Sequence, residues 1–334
     1  MMAEHQQYVF GPVPSRRLGR SLGVDLVPFK TCTYDCIYCQ LGRTTCKTIE
    51  RKEWVPKDAV LDELKQKLGC RPDYITLSGS GEPTLHSRLA DIIEQIQSMT
   101  AVPVAVLTNG SLLWQKEVRE ELACADVVLP SLDAPDAEQF ELINRPHPEI
   151  TFDRLVEGLE LFRREFSGQY WLEVMLLGGY TALRSRVGQF AQWTRRIRPD
   201  KVQLNTAVRP PAEEYAMAVS PERLAALARL FAPRAEVIAE HRSRRSLSQL
   251  PSSSQAVLTL LRRRPCTVQD VAQGLQLKPA EVVKILADLE TRGQVRNVRR
   301  EVRVFYRPVA PPSSTRTRDG RRTPRPNSCR PISA

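Results

Sequence analysis

From about residue 20 to 240 the chain alternates short runs of β-branched and other apolar residues with longer stretches in which apolar residues recur every three to four positions. A chain patterned this way is confined to βα units, in which parallel strands are covered by the helices that connect them. The pattern predicts strands at 21–27, 73–78, 104–108, 126–129, 170–176 and 201–205, and helices at 57–68, 86–99, 113–122, 151–165, 182–196 and 220–231. In the first of these helices Val60, Leu61, Leu64 and Leu68 share one face, and Gly69 stands where a helix commonly stops. Six such units make an α/β fold of the partial (β/α)6 TIM type. Right-handed crossovers then bring every strand C-terminus to one rim, where folds of this kind hold their ligands.

The residues expected at that rim carry chemistry. Directly after the first strand comes Cys32-Thr-Tyr-Asp-Cys36-Ile-Tyr-Cys39, three thiols on one loop. The other five of the eight cysteines, Cys46, Cys70, Cys124, Cys266 and Cys329, are scattered, which is unlike a disulfide framework. A structural zinc site closes four ligands with a second Cys or His pair, whereas His5, His86, His147 and His241 stand alone. Thiolates favour iron-sulfur clusters, and three protein ligands leave one metal position open for a substrate or cofactor. Zinc and chance clustering are the competing readings. After the second strand stands Ser78-Gly-Ser-Gly-Glu-Pro83, after the third Leu107-Thr-Asn-Gly110, after the fourth Ser131-Leu-Asp133, and on the sixth Val202-Gln-Leu-Asn-Thr206. Taken singly, these are also ordinary turn and helix-capping signals. Their recurrence at one rim is what points to a site.

The Cys-x3-Cys-x2-Cys spacing, with Tyr38 just before the last cysteine, resembles the signature of the radical S-adenosylmethionine (SAM) superfamily over roughly residues 8–240. That resemblance implies a [4Fe-4S] cluster on Cys32, Cys36 and Cys39 whose open iron chelates the amino and carboxylate groups of SAM. It further implies an electron donor such as flavodoxin or ferredoxin, reductive cleavage of SAM to methionine and a 5'-deoxyadenosyl radical, and abstraction of a substrate hydrogen atom by that radical. Ser80, Gly81 and Glu82 resemble the family's Gly-Gly-Glu-Pro element, with Ser80 in place of its first glycine. Tyr38, Asn109, Ser131, Asp133 and Asn205 match positions expected to contact SAM. Arg209, Glu213 and Glu214 would face the substrate and Glu173 and Tyr180 line the same cavity, the competing reading being solvated loop residues. No side-chain acid or base is required. The opening segment from Phe10 to Gly23, with Arg16, Arg17 and Arg20, is similar to a branch near the wyosine-forming tRNA enzymes. Those enzymes hold a second cluster on three further cysteines toward the N-terminus, and here none precedes Cys32.

Charge separates the rest of the chain from this unit. The net charge is +11, and residues 251–334 hold 17 Lys and Arg against 6 Asp and Glu, whereas residues 1–250 hold 32 of each sign. A neutral body is therefore joined to a basic end suited to an acidic partner, with tRNA or DNA leading. After a linker at 251–254, helices are expected at 255–264, from Thr267 to Gly274 and from Pro279 to Arg292, followed by a hairpin at 295–298 and 302–306. This order resembles a winged helix-turn-helix, in which Lys284 and Arg292 would contact phosphates beside Arg296, Arg299, Arg300 and Arg303 of the wing, a module that contacts a partner protein being the competing reading. The expected units are 1–245, 252–307 and a basic tail at 308–334 that lacks the apolar residues to order itself. With no run of 18 apolar residues, the chain is expected to be a soluble cytoplasmic enzyme without a membrane partner. Its substrate is expected to be RNA, the alternatives being a small molecule or peptide, or a redox-sensing DNA-binding regulator.

Overall fold

The computed structural model describes residues 7–238, 254–275, 277–300 and 303–309. Strand β1 (Val9–Pro14) pairs antiparallel with β2 (Arg20–Val24), and β3 (Thr31–Cys32) pairs with β4 (Cys46–Lys47) to close the cysteine loop. There follow α1 (Lys57–Lys67), β5 (Tyr74–Leu77), α2 (Leu89–Met99), β6 (Val104–Thr108), α3 (Lys116–Leu122), β7 (Val127–Pro130), α4 (Ala137–Ile143) and α5 (Phe152–Glu165). The unit ends with β8 (Gln169–Leu176), α6 (Arg184–Ile197), β9 (Lys201–Thr206), α7 (Pro221–Ala228) and β10 (Glu236–Val237). One sheet runs β1-β2-β5-β6-β7-β8-β9-β10, parallel throughout from β2 onward. The six expected strands are all present in consecutive order, as a partial (β/α)6 barrel.

Helices cover these strands on one side and inward-facing side chains on the other, so buried residues run consecutively, as in Val127–Pro130 where all four are buried. Register then aligns the strand ends. Thr108 lies opposite Pro130, which sets Asn109 beside Ser131, while Ser131 bridges to Glu173 and Met175 lies opposite Asn205.

A second unit comprises α8 (Ser254–Arg263), α9 (Val268–Leu275), α10 (Pro279–Thr291), β11 (Val295–Arg300) and β12 (Arg303–Pro308), the order of a winged helix. Val257, Leu261, Val271, Leu286 and Val295 form its own core, which Val13 of β1 joins. Thr267 Oγ1 accepts from the Asp270 amide (3.1 Å) while Asp270 accepts from the Thr267 amide (2.9 Å), a reciprocal cap, and Gly293 at φ +66 ends α10. Arg300 on the wing donates to the carbonyls of Arg209 (2.6 Å) and Ala216 (3.0 Å) in the loop after β9. Linker residues 251–253 and the tail from 310 onward lie outside the described residues. Among the described residues no helix is long and apolar enough to cross a membrane.

Candidate functional site

The strand ends, the cysteine loop and the winged helix enclose a cavity of about 400 Å³. Cys32, Cys36 and Cys39 all line it, and each sulfur has its own N–H donor from a different segment. Lys30 Nζ lies 3.2 Å from Cys39 Sγ, Asn109 Nδ2 3.6 Å from Cys32 Sγ, and Asn144 Nδ2 3.5 Å from Cys36 Sγ. Burial pushes the Cys32 thiol up to about 12, with the Glu82 charge adding to the shift, and burial likewise raises Cys36.

Among the described residues no three His, Cys, Asp or Glu side chains could hold a single metal ion. The donor set is three thiols on a cavity wall with an N–H facing each sulfur, which fits the edge of an iron-sulfur cluster.

The element at 78–83 is held in place by its backbone. A Cβ on Gly81 would stand 1.7 Å from the Thr31 carbonyl oxygen, so only glycine lets this turn lie against the cysteine loop. Glu82 accepts from the amides of Thr84 (3.2 Å) and Asn109 (2.8 Å) and from the hydroxyls of Thr84 (2.7 Å) and Thr108 (2.6 Å). Burial raises its pKa above the ordinary carboxylate value, and these four donors oppose the shift. Asn109 faces the cysteine loop, donating also to Thr33 Oγ1 (2.7 Å).

Tyr38, Ser80, Gly81, Glu82, Asn109, Ser131 and Asn205 all line the cavity. Asp133 is buried behind it, accepting from the Tyr38 hydroxyl, the Met175 amide (3.1 Å) and Asn144 (3.4 Å), so its contact is with the tyrosine rather than the cavity. Asn205 accepts from Arg16 (3.2 Å) and donates to Glu173 (3.0 Å), which is ion-paired with Arg17. Glu173 and Arg209 reach the cavity. Tyr180, Glu213 and Glu214 are not among its lining residues, and Glu213 pairs with Arg43 and Arg145, each at 2.8 Å.

Four residues of the site escaped the sequence reading. Lys30, two residues ahead of the cysteine motif, and Asn144, brought there by the fold from 108 residues away, each reach a sulfur. Arg263 and Arg264 come from the winged helix. Arg263 pairs with Asp25, donates to Ser80 Oγ (2.8 Å) and the Gln7 carbonyl (2.7 Å), and lies over the Phe10 ring, its guanidinium 4.8 Å from the centroid. Ser80, where the resemblance predicted glycine, also donates to Asp25 through its amide (2.5 Å) and hydroxyl (3.0 Å). The serine is thus part of the joint between the two units.

Of the expected phosphate contacts, Lys284 is exposed, but Arg292 pairs with Asp288 (3.0 Å) and α10 also carries Glu281 and Glu290. That helix is therefore not basic. The exposed arginines of the wing are Arg296, Arg299 and Arg303.

The chain belongs to the radical SAM superfamily, whose family model matches residues 26–194, and a DprA winged helix domain model matches residues 241–298. It is 36% identical over 237 residues to a UPF0026 protein from Methanocaldococcus jannaschii, covering 70% of this chain and 73% of that one. A protein named GTPase Obg from Brachyspira hyodysenteriae is 39% identical over 293 residues, 86% of this chain but 43% of that protein, so the chain spans less than half of that relative. A protein named S-adenosyl-L-methionine-dependent tRNA 4-demethylwyosine synthase, from Pyrococcus abyssi, is 23% identical over 154 residues, 40% of this chain and 45% of that one.

Proposed function

We propose that the chain is a SAM-cleaving enzyme that removes a hydrogen atom from an RNA substrate, with Cys32, Cys36 and Cys39 holding a [4Fe-4S] cluster. The cluster and SAM supply the one-electron chemistry, a 5'-deoxyadenosyl radical being the hydrogen-abstracting species. The observation that carries this reading is the set of three cavity-lining sulfurs, each met by its own N–H donor. Lys30, Asn109 and Asn144 offset negative charge on sulfur. The turn through Ser80, Gly81 and Glu82 forms the adjoining wall, and Ser131 and Asn205 offer hydrogen bonds across the cavity to the nucleoside part of SAM. Tyr38 is fixed by Asp133. Flavodoxin or ferredoxin fits the need for an electron.

RNA is favoured by the excess of basic side chains around the cavity, by the winged helix beside it, and by the tRNA named for one relative. The test is anaerobic reconstitution with iron and sulfide, followed by dithionite and SAM. Wild type is expected to hold about four irons per chain and to release 5'-deoxyadenosine. Cys36→Ala is expected to lose both, and Cys124→Ala to keep both. Protein holding zinc alone, or an intact cluster that yields no 5'-deoxyadenosine, refutes the enzyme reading. Nucleosides from a deletion strain that match those of its parent refute the RNA substrate.

A further inference from the structure

Six basic side chains line the cavity against two acidic ones, and most of these are engaged. Glu82 is saturated by four donors, Glu173 holds Arg17 and Asn205, and Arg263 holds Asp25. Two further cations converge from different parts of the chain, Arg209 from the loop after β9 and Arg264 from the end of α8, beside Arg16, which donates to Asn205. The Arg209 Nε is buried and has no hydrogen-bond partner among the described residues. Its Nη2 stands 4.0 Å from Asp270, whose other oxygen is committed to capping α9 through Thr267 (2.9 and 3.0 Å). Burial, followed by the charges of Arg264 and Arg16, pushes the Arg209 guanidinium down to about 9. Burying a cation among cations is unfavourable unless an anion joins them.

We propose that Arg209 and Arg264 form a phosphate subsite between barrel and winged helix, so that the substrate is held by a phosphate group that only the docked domains can grip together. This rests on the reading of the cavity as the reaction site. Guanidinium forks match phosphate oxygens two at a time, and several on one group suit a phosphate better than a carboxylate. The phosphate belongs either to an RNA backbone or to a free nucleotide. Both present the same oxygens.

The test uses the full chain, anaerobic and reconstituted, titrated by calorimetry with adenosine, AMP, a short RNA hairpin and SAM. AMP or the hairpin is expected to bind and adenosine to bind far more weakly. Arg209→Gln and Arg264→Gln should each weaken the phosphate ligand by about tenfold or more, the loss expected for a hydrogen bond to a charged group, and leave SAM affinity unchanged. Hairpin binding without AMP binding assigns the phosphate to RNA, and the reverse assigns it to a nucleotide. Adenosine binding as tightly as AMP while the hairpin fails to bind overturns the subsite in wild type, whether or not a variant folds. Phosphate binding that both variants retain overturns it as well. Loss of 5'-deoxyadenosine formation in wild type that still binds phosphate sinks the radical reading and leaves the subsite standing.

Discussion

Arg263→Ala should loosen the winged helix from the barrel by an amount that can be worked from its contacts. The Asp25 carboxylate is 5% exposed and the Arg263 side chain 15% exposed. Removing one member of a buried ion pair costs about 3–5 kcal/mol, because the partner charge stays behind without its counterion. The Ser80 amide and hydroxyl still donate to Asp25 and hold the cost to about 3 kcal/mol, near the low end of that range. Loss of the contact with the Phe10 ring adds about 0.5–1 kcal/mol at a partly exposed site. A change of about 3.5–4 kcal/mol shifts the docked-to-undocked ratio by roughly 400- to 850-fold. Hydrogen exchange read by mass spectrometry should therefore show faster exchange in peptides covering β1 and α8, with peptides from α5 unchanged. A cycle with Asp25→Asn and the double variant should give a coupling of about 2–3 kcal/mol. Unchanged protection across β1 in Arg263→Ala, or a coupling below about 0.5 kcal/mol, would refute the assignment of this pair as the joint.

Two glycines should respond in opposite directions to alanine. Gly81→Ala places a methyl 1.7 Å from the Thr31 carbonyl oxygen and should lower the thermal midpoint and weaken SAM binding, whereas Gly188 in α6 has nothing within 4 Å of its Cβ position. Gly188→Ala should raise stability by about 0.8–1 kcal/mol from helix propensity alone, and equal midpoints for the two variants would contradict both placements. At Asp270, burial would raise the carboxyl, but Arg209, the Thr267 amide and Arg264 together hold it below its ordinary value of 3.8. A depressed carboxyl adds stability above 3.8 that is lost as pH falls through the lower folded value. Urea unfolding should therefore show a gap between wild type and Asp270→Asn at pH 6 that narrows as pH drops below 3.8, and a constant gap would refute the pairing.

The barrel was legible because its evidence is periodic. The expected strand at 104–108 is β6 to the residue, and the helix expected at 57–68 is α1 and the turn that ends it. Helix α4 was missed: seven residues, Ala137–Ile143, give too few turns for a 3.6-residue period to stand out, although Asp136 caps it through the Gln139 amide (2.9 Å). Strand β1 carries Gly11, Pro12 and Pro14, residues that depart from a strand pattern but are tolerated in an edge strand, and the sequence pattern did not include it. At the site, the cysteines stood out by their spacing and Glu82 by the resemblance of its turn. Asn144 and Arg263 did not, because each acts across a separation that only folding closes. Asn144 meets a sulfur 108 residues earlier, and Arg263 meets Ser80 183 residues away.

The barrel sheet is open, with β1 at one border and β10 at the other. The winged helix touches both sides of that opening, packing on β1 through Val13 and Pro14 and gripping the loop after β9 through Arg300. It works as a clasp across a cut ring. Any movement that widens the ring must first undo the clasp, so whatever engages the C-terminal unit also sets how far the sheet can flex.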